Sequence, residues 1–151
     1  MKLENEIRQQ TFSSVQQKAA MNILFTANLI SSRYESALKP LEISLQQLNV
    51  LSILKGQSEH TANVNLIKER MIDRMPNVSR LLNRLMDKGL IEKARNNIDQ
   101  RVVHVKLTPG GLKIAEKGRE LFQEVLFEIS SEDADKLNLL LELMRVNNLN
   151  I

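Results

Sequence analysis

Apolar residues recur along this chain with two periods, and the switch between them marks a helical pair followed by a β-hairpin. From about Gln16, the residues Ala20, Ile23, Leu24, Ala27, Ile30, Tyr34 and Leu38 recur at helical spacing and give one long helix with a broad apolar face. Pro40 forbids continuation and biases Lys39 away from the helical region, so the helix is expected to stop there. Residues 1–15 are polar and weakly patterned, and a frayed start or swinging arm is expected of them.

The next start signal is complete. Ser44 and Gln47 form an S-x-x-Q capping box, Ile43 and Leu48 a hydrophobic staple, and Leu48, Leu51 and Leu54 the inner face of a short helix that Lys55-Gly56 closes. After a polar loop, Val64, Ile67 and Met71 predict a helix of two to three turns, broken by Asp73-Arg74-Met75-Pro76. Proline suits the first position of a helix, so the next one is expected to begin near Pro76. On it Val78, Leu81, Leu82 and Leu85 form an apolar stripe, Asn77, Ser79, Arg80, Asn83 and Arg84 project from the other side, and Gly89 ends it.

The period then becomes two. Leu90 to Arg95 and Gln100 to Leu107 read as strands around an Asn96-Asn97-Ile98-Asp99 turn. In the second, Val103, Val105 and Leu107 alternate with His104 and Lys106. Thr108-Pro109 restarts a helix that is expected to run to about Ile129, and Ser130 to Asp133 open a last one carrying Ala134, Leu137, Leu140, Leu141, Leu143 and Met144. The fold class is therefore mainly α with a small β-hairpin (α+β): a winged helix-turn-helix with helices added at both ends. Residues 40–111 are the expected DNA-binding unit, and residues 1–39 and 112–151 the expected dimerisation region, because the terminal helices carry more apolar surface than a small winged domain can cover.

Charge sharpens this reading. The net charge of the 151 residues is only +3, but His60 to Leu107 hold 10 Lys+Arg against 5 Asp+Glu, whereas the last 44 residues hold 5 against 8. A basic excess on the helix and hairpin is the footprint of a polyanion partner. In a winged helix-turn-helix the second helix enters the major groove, where Asn can pair with adenine and Arg with guanine. The hairpin tip reaches the flanking backbone or minor groove. A solvated basic face is the plainer alternative for Arg80, Asn83 and Arg84, and the combination with a basic hairpin weighs against it. His60 and His104 read as loop and strand-surface residues, and the methionines as core.

The helix pair ending in NVSRLLNRLMDKGLI, the D-x-R motif Asp99-Gln100-Arg101 and the LTPGG of Leu107 to Gly111 resemble the MarR family of bacterial transcription regulators. The match runs from about Leu45 to Gly111; Pro76 and the turn before it depart from the commonest pattern. The resemblance implies a homodimer on a pseudo-palindromic double-stranded DNA operator and a small-molecule effector. It places the wing arginine at Arg101 and its supporting aspartate at Asp99, and Arg95 is expected to add a phosphate contact. The expected DNA-binding residues are thus Asn77, Ser79, Arg80, Asn83, Arg84, Arg95, Asp99 and Arg101. An effector pocket is expected between the long helix, at Arg33 and Tyr34, and the DNA-reading unit.

Other classes are narrowed. With no cysteine, disulfides, thiolate metal sites and cysteine nucleophiles are excluded, and two histidines make a poor zinc site. No His, Ser or carboxylate constellation suggests an enzyme, and neither a metal nor a cofactor is expected. No signal peptide or membrane-length apolar run is present, so the expected compartment is the cytoplasm. The runner-up is a winged-helix protein-interaction module without ligand or operator specificity; loss of the basic groove-facing residues would favour it, and here they are present.

Overall fold

The computed structural model describes residues 2–73, 77–94, 103–125 and 128–148, with the side chains of 147 and 148 left out. A one-turn helix, α1 (Leu3–Glu6), and a long helix, α2 (Val15–Leu38), precede the capping box at Ser44. There the Ser44 hydroxyl accepts the Gln47 backbone N–H at 3.2 Å, and the Gln47 side-chain oxygen accepts the Ser44 N–H at 3.0 Å. Two otherwise orphaned donors are satisfied at once, and α3 (Leu45–Lys55) starts at the position the sequence specifies. Leu48, Val50, Leu51, Ile53 and Leu54 are all buried, so α3 is wrapped on most sides and forms the centre of the core.

The Asn63 side chain accepts the Leu66 N–H at 2.8 Å and caps α4 (Val64–Arg70), which buries Ile67. Helix α5 (Val78–Asp87) buries Val78, Leu82 and Leu85, with Leu81 half-buried, as the apolar stripe requires. Each such aliphatic side chain taken fully out of water contributes about 1.5–3 kcal/mol to holding α5 against the core. Gly89, at φ +66, turns the chain out of the helix into the sheet.

Strands β2 (Ile91–Ala94) and β3 (His104–Leu107) are the expected hairpin arms. A third strand joins them: β1 (Thr61–Asn63) pairs antiparallel with β3, and the order is β1-β3-β2. The register aligns Ala62 with Val105 on one side and Lys93 with Val105 on the other. Strand β1 was expected to be loop, because three residues with one small apolar side chain carry no alternation to recognise. The expected face of Val103, Val105 and Leu107 holds for the last two only; Val103 is 54% exposed, lying before the paired part of β3.

Helix α6 (Pro109–Glu124) is stitched to the base of the hairpin. The Thr108 N–H donates to the Leu90 carbonyl at 3.2 Å, and the Thr108 hydroxyl donates to the Gly89 carbonyl at 2.7 Å. A methyl group at Gly111 would lie 1.9 Å from the Leu90 carbonyl oxygen, so the second glycine of LTPGG is there for close approach. Gly118 does the same further along, where a methyl group would lie 2.5 Å from Leu48 Cδ1.

Three expectations are corrected. Lys39 stays right-handed (φ −50, ψ −43) and Pro40 sits inside a 3-10 turn, Lys39–Leu41; the chain changes direction at Glu42, φ 53. Proline lacks the N–H but suits the start of a tight turn, which is where it is used. Helix α6 ends at Glu124 rather than near Ile129, and the last helix, α7, spans Ser131–Asn148. The polar start is not wholly frayed: Leu3 of α1 is buried, and Lys18 of α2 pairs with Glu4.

Candidate nucleic-acid interface

All five polar residues assigned to the outer side of α5, Asn77, Ser79, Arg80, Asn83 and Arg84, are exposed. At about 100° per residue, the buried trio Val78, Leu82 and Leu85 fixes which way the helix faces. Arg80 then lies nearly opposite the core, with Asn83 and Arg84 to either side of it. Asn77 stands at the N-terminal cap but makes no side-chain capping hydrogen bond, so its amide is not committed to the helix. The outward side of α5 thus offers two guanidinium and two carboxamide groups to the solvent, the side chains that read guanine and adenine edges.

The five divide between two grooves along the flanks of α5. One groove, about 360 Å³, is lined by Asn77, Arg80 and Arg84 together with Ser44 and Gln46 from the start of α3 and Asp73 from the turn. The other, about 420 Å³, runs between α5 and the sheet and brings together Ser79, Asn83, Asn65 and Lys93. Asn65 and Lys93 were not singled out from the sequence. For Lys93 a signal existed, since it stands two residues from Ile91 and so shares its strand face; Asn65 carried none. The wing residues Arg95, Asp99 and Arg101 lie outside the described residues, as does Pro76.

Away from α5, Tyr34 of α2 stacks on Phe122 of α6 with ring centroids 3.7 Å apart and the planes 2° from parallel. Phe122 is also a wall of an apolar cavity of about 210 Å³ between α3 and α6, lined by Leu45, Leu48, Asn49, Ser52, Ile72 and Arg119 as well. Tyr34 therefore touches a wall of this cavity without lining it, and Arg33, exposed on α2, does not line it either. The guanidinium beside the cavity belongs to Arg119. Arg119 and Phe122 stand three apart on one helix, a spacing visible in sequence but shared by many core positions.

Residues 32–125 match the family described as Transcriptional regulator SarA/Rot, which covers well over half of the chain. The multiple antibiotic resistance protein MarR of Salmonella typhimurium is 36% identical over 110 residues, a stretch that spans 70% of this chain and 75% of that protein. The chain belongs to the MarR family of transcriptional regulators. Its MarR-type fold aligns over 95% of its length, with 26% identity and a TM-score of 0.74, with 99% of an Escherichia coli MarR mutant complexed with operator DNA. Bordetella bronchiseptica BpsR, in a structure concerned with regulation of its DNA binding by 6-hydroxynicotinic acid, shares the fold. There the identity is 18% and the TM-score 0.69, over 84% of this chain and 98% of that one. MarR-family members are regulators rather than enzymes. Among the described residues no helix is long and apolar enough to cross a membrane.

Proposed function

We propose that this MarR-family chain is a dimeric, sequence-specific repressor of the cytoplasm, bound to a pseudo-palindromic operator and released from it by a small molecule. The observation that carries the reading is the outward face of α5, where Arg80 stands opposite the buried stripe with Asn77, Asn83 and Arg84 beside it and Ser79 on the wing side. Asn77 and Arg80 are the proposed base readers, near the helix start; the others position the helix on the backbone. Arg101 of the wing is the proposed flanking or minor-groove contact, Asp99 its orienting partner, and Arg95 a phosphate contact. Residues 40–111 act as the DNA-binding unit, and residues 1–39 and 112–151 join two copies. Bound across an operator, such a dimer excludes other proteins from the same duplex, which is the simplest route to repression.

The effector reading rests on the cavity between α3 and α6, close to the Tyr34–Phe122 stack, and on the BpsR precedent. The Arg119 guanidinium beside apolar walls suits a small aromatic anion. Incubating the pure protein with random duplexes and sequencing the retained fragments is the test. The expected result is one sequence repeated in inverted half-sites about one helical turn, ~34 Å, apart. Recovery of fragments without a shared sequence would favour the protein-interaction module instead.

A further inference from the structure

The groove between α5 and the sheet has a chemistry of its own. Among the described residues none that lines it is acidic; the polar groups there are Asn65 of α4, Ser79 and Asn83 of α5, and Lys93 of β2. Its floor is apolar, with Leu82 and Val105 buried. Lys93 pairs directly with Val105, and Val105 pairs with Ala62 on its other side. Residues paired across antiparallel strands project from the same face, so Lys93 stands on the face that buries Val105 and Ala62. Strand β2 lies at the sheet edge, and Lys93 remains exposed while lining the groove beside α5. Two donor amides and a hydroxyl converge on the same space, and Val103, 54% exposed, adds an apolar surface at the rim.

We propose that this groove seats one sugar-phosphate strand of the duplex whose major groove holds α5, with Lys93 as the phosphate-binding cation, Asn65 as a neutral donor and Val103 against the deoxyribose. The inference rests on the DNA-binding reading of α5. A helix with its side chains is about 10–12 Å across and B-DNA's major groove about 12 Å wide, so a helix in that groove has a strand on each flank. The flank toward α3 carries Arg80 and Arg84, but also Asp73. Among the described residues the groove on the sheet side is lined by no acidic group, and Lys93 supplies its positive charge. An inward-facing lysine on an edge strand also has a plainer role, which is to discourage pairing with another sheet. The two roles differ in what salt does.

The experiment measures the affinity of the full-length protein for its selected duplex and for a scrambled one across a salt series. For Lys93→Ala the expected result is equal weakening on both duplexes and a log-log salt slope smaller by about 1 for each half-site occupied. Lys93→Arg is expected to keep the wild-type slope. Asn65→Ala is expected to weaken both duplexes with the slope unchanged, because a neutral donor displaces no counterion. A Lys93→Ala protein with native circular dichroism and an unchanged slope overturns the proposal and leaves the edge-guarding role. Wild-type protein that holds neither duplex overturns the reading of α5 itself, so the two failures are distinguishable.

Discussion

Arg80, Leu81 and Leu82 are consecutive, yet the first is exposed, the second half-buried and the third 3% exposed. The 3.6-residue repeat makes such a division legible in advance, and every polar residue assigned to the outside of α5 is found there. Arg80→Ala is expected to cost about 1–3 kcal/mol on the best site and to narrow the gap to random DNA, measured by anisotropy titration of both duplexes. An unchanged ratio would move Arg80 to the residues that hold phosphate. Where the environment rather than the repeat decides, sequence is a poorer guide. Val103 keeps the alternation of its strand but precedes the paired stretch, and the structure exposes it. Glu4 illustrates the same point at the polar start of the chain: a hydrogen bond from Lys18 holds its carboxyl below the usual pKa. That tether is fully present above the ordinary carboxylate pKa and is lost as pH falls through the lowered one. The Leu3 methyl signals, followed by NMR during acidification, are expected to change only below the ordinary range; a change centred within it would mean that Lys18 does not hold the carboxylate.

At the scale of elements, the signals that were legible are those in which one residue satisfies a specific backbone group. Ser44 and Gln47 do so at the start of α3 and Thr108 at the start of α6, whereas the Asn63 cap of α4 was not singled out from the sequence. Because α3 lies at the centre of the core, fraying its first turn would loosen packing on several sides. Ser44→Ala is expected to cost about 1 kcal/mol in urea unfolding; no measurable change would mean that Gln47 or water replaces the hydroxyl. Strand β1 was illegible because its three residues are held by β3, not by a pattern of their own. The glycines separate two kinds of constraint that look alike in sequence. Gly89 has a positive φ but open space where a side chain would go, whereas Gly111 faces a backbone carbonyl that cannot move aside without separating α6 from the hairpin. Gly89→Ala should therefore cost about 1–2 kcal/mol, and Gly111→Ala more than that, since overpacking against backbone has no rotamer to relieve it. Equal melting temperatures for the two variants would show that the junction at Leu90 is looser than the geometry indicates.

For the whole molecule, the decisive feature is how much apolar helix surface the chain leaves uncovered. Helix α2 buries Leu38 fully and exposes Leu24 and Leu29, and α7 exposes Leu137, Leu140 and Met144 on one face and Leu139, Leu143 and Val146 on another. Together these positions form one apolar band wider than the single stripe of an ordinary surface helix, and a single copy of this chain leaves them exposed. The sequence showed this surplus, because it needs only the helix repeat and a count of what a small domain can cover; it did not show how the copies meet, which depends on contacts between chains. A second copy is the occupant that a two-fold reader of inverted half-sites requires. Light scattering at micromolar concentration is expected to give twice the chain mass of 17.3 kDa. Leu140→Glu, which places a charge on an exposed face and so spares the core of the single chain, is expected to shift the mass toward 17.3 kDa. The same variant should lose far more affinity for a duplex with two half-sites than for one with a single half-site, because only the first depends on two linked reading helices. If Leu140→Glu keeps the doubled mass and the wild-type preference for paired half-sites, this face of α7 is not the dimer seam. If the wild-type protein is a stable monomer, the dimeric reading is wrong for the whole molecule.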